Sequence, residues 1–244
     1  MEIFTNAVPV WLSGLFFISF LAPVIMIVKT IKNVTYTDNI SNKIPKKLHR
    51  NVGIFLLLYY LYVALMSYTG IFQVNTLPPK ILWFTAIPLA IFYFMFVFRT
   101  KIFWNVLENV QLSALVRLHT FRFVGIFFIL GWQFGILPKS FALIGGLGDI
   151  FVALTAIIVA RMIDKKAPNF KKITLLWNII GFWDIISVLA SAVIVTKQAI
   201  ETNTTGILEM TKFPFALIPS FAPATIIFLH ICIFKKLKMK EFSA

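Results

Sequence analysis

Residues 173–196 read ITLLWNIIGFWDIISVLASAVIVT, twenty-four positions with a single charged side chain, Asp184. Wound as a helix at about 1.5 Å per residue, the stretch is about 36 Å long, enough to cross the roughly 30 Å hydrocarbon core of a bilayer. Its polar and small residues are not scattered. Trp177, Gly181, Asp184, Ser187 and Ser191 recur every three or four positions and so share one helical face, with Asn178 beside it. An ionisable group at bilayer depth costs at least about 2.5–3.5 kcal/mol. That cost predicts a face turned toward other helices and a partner for Asp184.

Working outward from this stretch, six further apolar runs of similar length appear, at about 8–28, 52–70, 81–98, 118–137, 141–160 and 213–234. The chain is 59% hydrophobic and only 13% charged, whereas soluble domains have about 45–50% and about 25%. So few charges cannot clothe so much apolar surface in water, and the expected solvent is the lipid bilayer. The expectation is an all-α, polytopic integral membrane protein: one helical domain over residues 1–244 with seven transmembrane helices. Segment 99–117 is apolar yet carries Asn105, Glu108, Asn109 and Gln111, which predicts a helix lying at the interface.

The basic residues test this count. Lys29, Lys32, Lys43, Lys46, Lys47, Arg50, Arg99, Lys101, Arg117, Arg122, Arg161, Lys165, Lys166, Lys171, Lys172, Lys235, Lys236, Lys238 and Lys240 all fall on one side. Lys80, Lys139, Lys197 and Lys212 fall on the other. Positive charge concentrates on the cytoplasmic side of membrane proteins, so the expected topology is N-out/C-in. The net charge of +14 thus punctuates span ends instead of forming a patch, and no nucleic-acid partner is expected. The opening MEIFTNAVPVWL has an acid and no base before its apolar run, so that run reads as a retained span and not a signal peptide. The single cysteine, Cys232, allows no internal disulfide and no thiolate metal site; no metal is expected.

All the costly groups fall in the last four spans. The fourth carries His119, Arg122 and Gln133, within about 60° of one another on an α-helix. The fifth sets Asp149 in a stripe of small residues: Gly145, Ala153, Ala156 and Ala160. The seventh puts Pro219, Pro223 and His230 on one face, after Pro214 at its start. Helix rise puts Asp149 and Asp184 near the midplane at similar height, and His119, Arg122 and His230 in a second layer near the cytoplasmic face. Two carboxylates at that depth cannot both ionise cheaply, so one is expected to hold a proton unless Arg122 or a bound cation reaches it. Plainer roles exist for each group. The acids would bond to helix ends, to Asn178 or to Trp indoles; the arginines would snorkel; and the histidines would be interfacial hydrogen bonders. Tyr59, Tyr60, Tyr62 and Trp11 read as packing or belt residues, and Pro23 and Pro88 as kinks. A nine-position echo between Gly146–Leu154 and Gly181–Leu189 is too short to define a repeat.

Five motifs stand in order: Arg122-Phe-Val-Gly125, Leu137-Pro138-x-x-Phe141-Ala142-Leu143, Gly146-x-Gly148-Asp149-Ile150, Trp177-Asn178-x-x-Gly181-x-x-Asp184, and Ile218-Pro219-x-Phe221 followed by His230. Together they resemble a group of uncharacterised bacterial inner-membrane proteins with no assigned function. The resemblance covers spans four to seven and implies the bacterial cytoplasmic (inner) membrane; it supplies no reaction. The residues themselves point to a small transporter whose midplane Asp149 and Asp184 carry a proton or cation. In that reading Arg122 neutralises or gates them and Pro219 and Pro223 bend the last helix. A membrane-embedded enzyme or haem-binding protein, and a structural or sensory subunit with a purely stabilising polar core, are the alternatives. The last span contains no Schiff-base lysine for retinal, and two histidines are too few for a catalytic zinc site. Cargo, cofactor and oligomeric state are not written in these residues.

Overall fold

The computed structural model of the chain describes residues 8–35 and 45–239; Lys43 and Lys240, used above for topology, lie outside them. Among the described residues, seven helices are long and apolar enough to cross a membrane: α1 (Val10–Lys32), α2 (Leu48–Tyr68), α3 (Leu82–Arg99), then α5 (Leu112–Gln133), α6 (Lys139–Asp164), α7 (Phe170–Thr202) and α8 (Leu217–Leu237). Between α3 and α5 lies the short α4 (Lys101–Asn109). No strand occurs among the described residues. Outward faces carry Leu57, Leu58, Leu61 and Leu65 on α2, and Leu147, Phe151, Leu154 and Ile158 on α6. A surface of that kind is compatible with acyl chains.

The expected interfacial segment 99–117 divides. Thr100 caps α4, its Oγ1 accepting from the Phe103 N–H at 3.1 Å. The extended residues Val110 and Gln111 end it, and α5 starts at Leu112, six residues earlier than the hydropathy pattern predicts. Leu107 is buried, and Lys236 Nζ donates to the Glu108 carbonyl at 2.6 Å, so α4 is tied to the end of α8. The earlier start moves Arg122 ten residues into its helix, about 15 Å. That is a position near the middle of the helix, not at its end.

Three helices are irregular where prolines dictate it. α1 breaks at Leu21, just before Pro23. α3 winds as π-turns over Leu82–Ala86 and Phe92–Phe96, on either side of Pro88. α8 carries Pro223 inside. A proline cannot give its N–H to the carbonyl one turn back, and in hydrocarbon that carbonyl needs another donor. A tyrosine of α2 supplies it at Pro88. Tyr62 Oη donates to the Phe84 carbonyl, four residues before Pro88, at 2.9 Å. Tyr60 Oη donates to Phe20 at the α1 break at 3.2 Å, and Tyr59 Oη to Ser220 in the proline stretch of α8 at 3.0 Å. The residues expected to be packing or belt are thus also the hydrogen-bond donors that stitch α2 to α1, α3 and α8.

Around these bonds the N-terminal helices pack by aromatic contact. Phe16, Phe20, Tyr60 and Phe221 form a chain of rings with centroids 5.3–6.0 Å apart. The apolar core runs from Val8 to Ile233, and the buried Arg, Asp, Lys and His side chains among the described residues all belong to α5–α8.

Candidate functional site: one guanidinium between two carboxylates

Arg122 is the largest fully buried side chain of the described residues. Its local backbone explains how it is aimed. Residues His119–Gly125 of α5 form a 3₁₀ helix between two α-helical halves. At three residues per turn, positions i and i+3 eclipse, so His119, Arg122 and Gly125 stand in one row facing α6 and α7. Gly125 lets that row close on α6: a Cβ there would lie 2.5 Å from the Asp149 Cβ and 3.0 Å from the Gly146 carbonyl.

All three guanidinium nitrogens are engaged. Nε donates to Asp149 Oδ1 at 2.6 Å, and Nη2 donates to Asp184 Oδ2. Nη1 donates to the Gly181 carbonyl at 3.2 Å and faces His230 Nε2 at 3.5 Å. The planar fork suits such multiple bonding, which a lysine point charge would not reproduce. Space for it is made by missing side chains. A Cβ on Gly148 would strike the Asp184 carboxylate, and one on Gly181 would meet His230 Cε1 at 2.6 Å.

His230 is held by Asn178. The amide Nδ2 donates to the His230 carbonyl at 3.0 Å, which leaves Oδ1 facing the ring Nδ1 at 2.8 Å. An amide oxygen only accepts, so Nδ1 carries the proton and Nε2 turns its lone pair to Arg122. His119 packs on the other side of this ring, with centroids 4.1 Å apart, and against Trp177 edge-on. Both nitrogens of His119 are buried without a hydrogen-bond partner. The two rings touch, which leaves no room for a porphyrin plane between them.

Several expectations are corrected by this geometry. The two polar layers are one, because α5 starts early and puts Arg122 and His119 at the depth of the acids. Arg122, counted above as a cytoplasmic marker, is core. Asn178 bonds to His230, and the Trp177 indole donates to Thr155 Oγ1 at 3.0 Å, so neither serves an acid. Gln133 closes α5 at its far end and is exposed; the α-helical projection that grouped it with Arg122 fails once the 3₁₀ turns shift the register. Ser187 donates to the Asp184 carbonyl and also faces out. The 3₁₀ segment and the gaps at Gly125 and Gly148 left no mark in periodicity; the run of glycines around Asp149 was the one available hint.

Access to the cluster is one-sided. A cavity of about 70 Å³ reaches Asp149 from the lysine-poor end, between α3, α6, α7 and α8. Pro219 and Pro223 line it, so the irregular stretch of α8 faces this space. Asp184 does not line the cavity. From the basic end a second cleft is lined by Lys29, Arg117, Leu118 and Thr120 and by none of the cluster's own side chains. The cluster therefore stands as a septum between two openings. No curated protein and no solved structure matches the chain. A family model described as a domain of unknown function (DUF8737) matches residues 79–238, taking in α3 as well as the four helices of the cluster, and the chain belongs to that family.

Proposed function

We propose that the chain is a multi-pass transport protein of the bacterial cytoplasmic membrane, N-out/C-in, which binds one proton or monovalent cation at Arg122, Asp149 and Asp184. A single observation carries the reading: one buried and one partly buried carboxylate share one guanidinium and have no second cation among the described residues. His230, with its lone pair toward Arg122, adds no charge. The cluster is one positive charge short of neutrality, and one proton or monovalent cation makes up the difference. Its place between two openings supports alternating access, in which the site faces one side and then the other. The bias of basic residues supports the orientation, and the ordered motifs resembling bacterial inner-membrane proteins support the location. In this reading Asp149 and Asp184 exchange the ion, Arg122 holds the vacated carboxylates apart, and Asn178 keeps His230 as an acceptor for Arg122. Pro219 and Pro223 give α8 its compliance, and the continuous core supports a single transmembrane domain over residues 1–244.

The test is a pH or cation jump on protein adsorbed to a solid-supported membrane. The wild type is expected to displace charge, and Asp184→Asn, which keeps an acceptor for Arg122, to show less than a tenth of that displacement. Equal displacement in the variant would overturn the reading. Altered thermal stability with no charge displacement in the wild type would assign the cluster a purely structural role.

A further inference from the structure

The cavity at Asp149 has a polarity of its own. Most of its wall is aliphatic or aromatic, with Phe128, Ile185, Val188, Ile218, Ala222 and Ile226 around the acid. Its wall hydroxyls have given their protons away. Thr196 Oγ1 donates to the Ala192 carbonyl at 2.8 Å, and Thr211 Oγ1 to that of Leu208 at 2.7 Å. What they turn to the cavity is lone pairs. Pro223 withholds the N–H that would close on the Pro219 carbonyl, and both prolines line the space. Asp149, 6% exposed, gives Oδ1 to Arg122 and keeps Oδ2 without a protein donor. The wall's donors, Asn75 and Lys80, stand at the rim in the connection between α2 and α3; Asn75 Nδ2 already serves the Thr204 carbonyl at 3.0 Å.

A carboxylate in negative surplus at the inner end, apolar walls and hydroxyls that present lone pairs select a cation that brings its own N–H groups. An anion would meet lone pairs and the excess charge of Asp149 and Asp184. A metal cation would exchange its hydration shell for one carboxylate oxygen and few carbonyls, too small an oxygen set to replace it. Size narrows the choice further. Against a benzene-binding cavity of about 150 Å³, a space of about 70 Å³ suits an ammonium head with a tail of about two or three carbons. We infer that the cavity is a binding site for small primary alkylammonium ions, the head on Asp149 Oδ2, the tail against Val188, Ala222 and Ile226. This names a cargo class for the transport reading above and rests on it for the charge of the cluster.

Radiolabelled ethylamine, protonated at neutral pH, is the probe, with the protein in nanodiscs. Saturable binding is expected, displaced by propylamine and at least tenfold less well by propanol or propionate. Asp149→Asn is expected to weaken it at least tenfold. Because that change also touches Arg122, Ala222→Phe supplies a second arm: it fills the cavity from α8, outside the ion cluster, and should abolish ethylamine binding while thermal unfolding shows the protein still folded. Binding that survives Ala222→Phe, or that propionate displaces as readily as propylamine, overturns the assignment. Protein that shows charge displacement but no ethylamine binding refutes the amine site alone; loss of both in the wild type refutes the transport reading too.

Discussion

The helices α1–α3 and the helices α5–α8 solve the same problem by different means. Each set holds backbone and side-chain polar groups away from water, in lipid if the chain spans a bilayer as its composition predicts. In the N-terminal set the polar groups are backbone carbonyls in or beside proline-disturbed turns, and single tyrosine hydroxyls answer them, each bond neutral and separate from the next. In the C-terminal set the polar groups are charges, and one guanidinium answers two of them at once along with a carbonyl and an imidazole. Neutral bonds made singly fail singly. A shared ion cannot be removed without stranding every partner, so the second solution couples α5, α6, α7 and α8 in a way the first does not. It also leaves an unbalanced charge, which a fold built only for rigidity would have no reason to keep.

This contrast is broken most severely at Arg122. Arg122→Met leaves two carboxylates without a counter-ion and is expected to destabilise by roughly 3–5 kcal/mol, the usual result of removing one member of a buried pair. Thermal unfolding in detergent measures it. Neutralising all three groups together, with Asp149→Asn and Asp184→Asn added, should recover most of that stability without restoring charge displacement, because the penalty lies in the stranded charge. A triple variant no better than Arg122→Met would show that the network is held by shape instead.

Glycines sharpen the comparison at a smaller scale. Gly148→Ala would drive a methyl into the Asp184 carboxylate, and such overpacking costs about 1–3 kcal/mol. Gly14→Ala, on α1, meets nothing within 4 Å and is expected to be neutral or to gain up to about 1 kcal/mol from helix propensity. Comparable losses at both sites would erase the distinction between the two halves.

The smallest effects belong to the tyrosines. Tyr60→Phe removes one neutral hydrogen bond and is expected to cost about 0.5–1.5 kcal/mol. Tyr62→Phe, on an exposed face, should cost less. Additivity between these two is the sharper reading. Coupling above about 0.5 kcal/mol would mean that the N-terminal bonds also act as a network.

How much of this could be read in advance differs between the two halves. Seven spans and the special status of Asp149, Asp184 and Arg122 follow from length, hydropathy and the cost of burying charge, which are properties of residues one at a time. The answering of carbonyls by Tyr59, Tyr60 and Tyr62 was hidden because no sequence rule pairs a tyrosine with a proline on another helix. The single polar layer was hidden because α-helical spacing was applied to His119–Gly125, which winds as a 3₁₀ helix. The same assumption drew Gln133 into a site it does not share.

The amino-acid order by itself determined that this chain has seven helices fit for lipid, and that its ionisable groups must be gathered among the last four. Hydrophobic run length and desolvation cost are local quantities, and they leave little choice. Only the tertiary structure decided which acid meets which nitrogen, that His230 presents a lone pair, and that a cavity ends at Asp149 and not at Asp184. Those outcomes depend on helix register and on close approaches at glycine, set by the packing of all the helices at once.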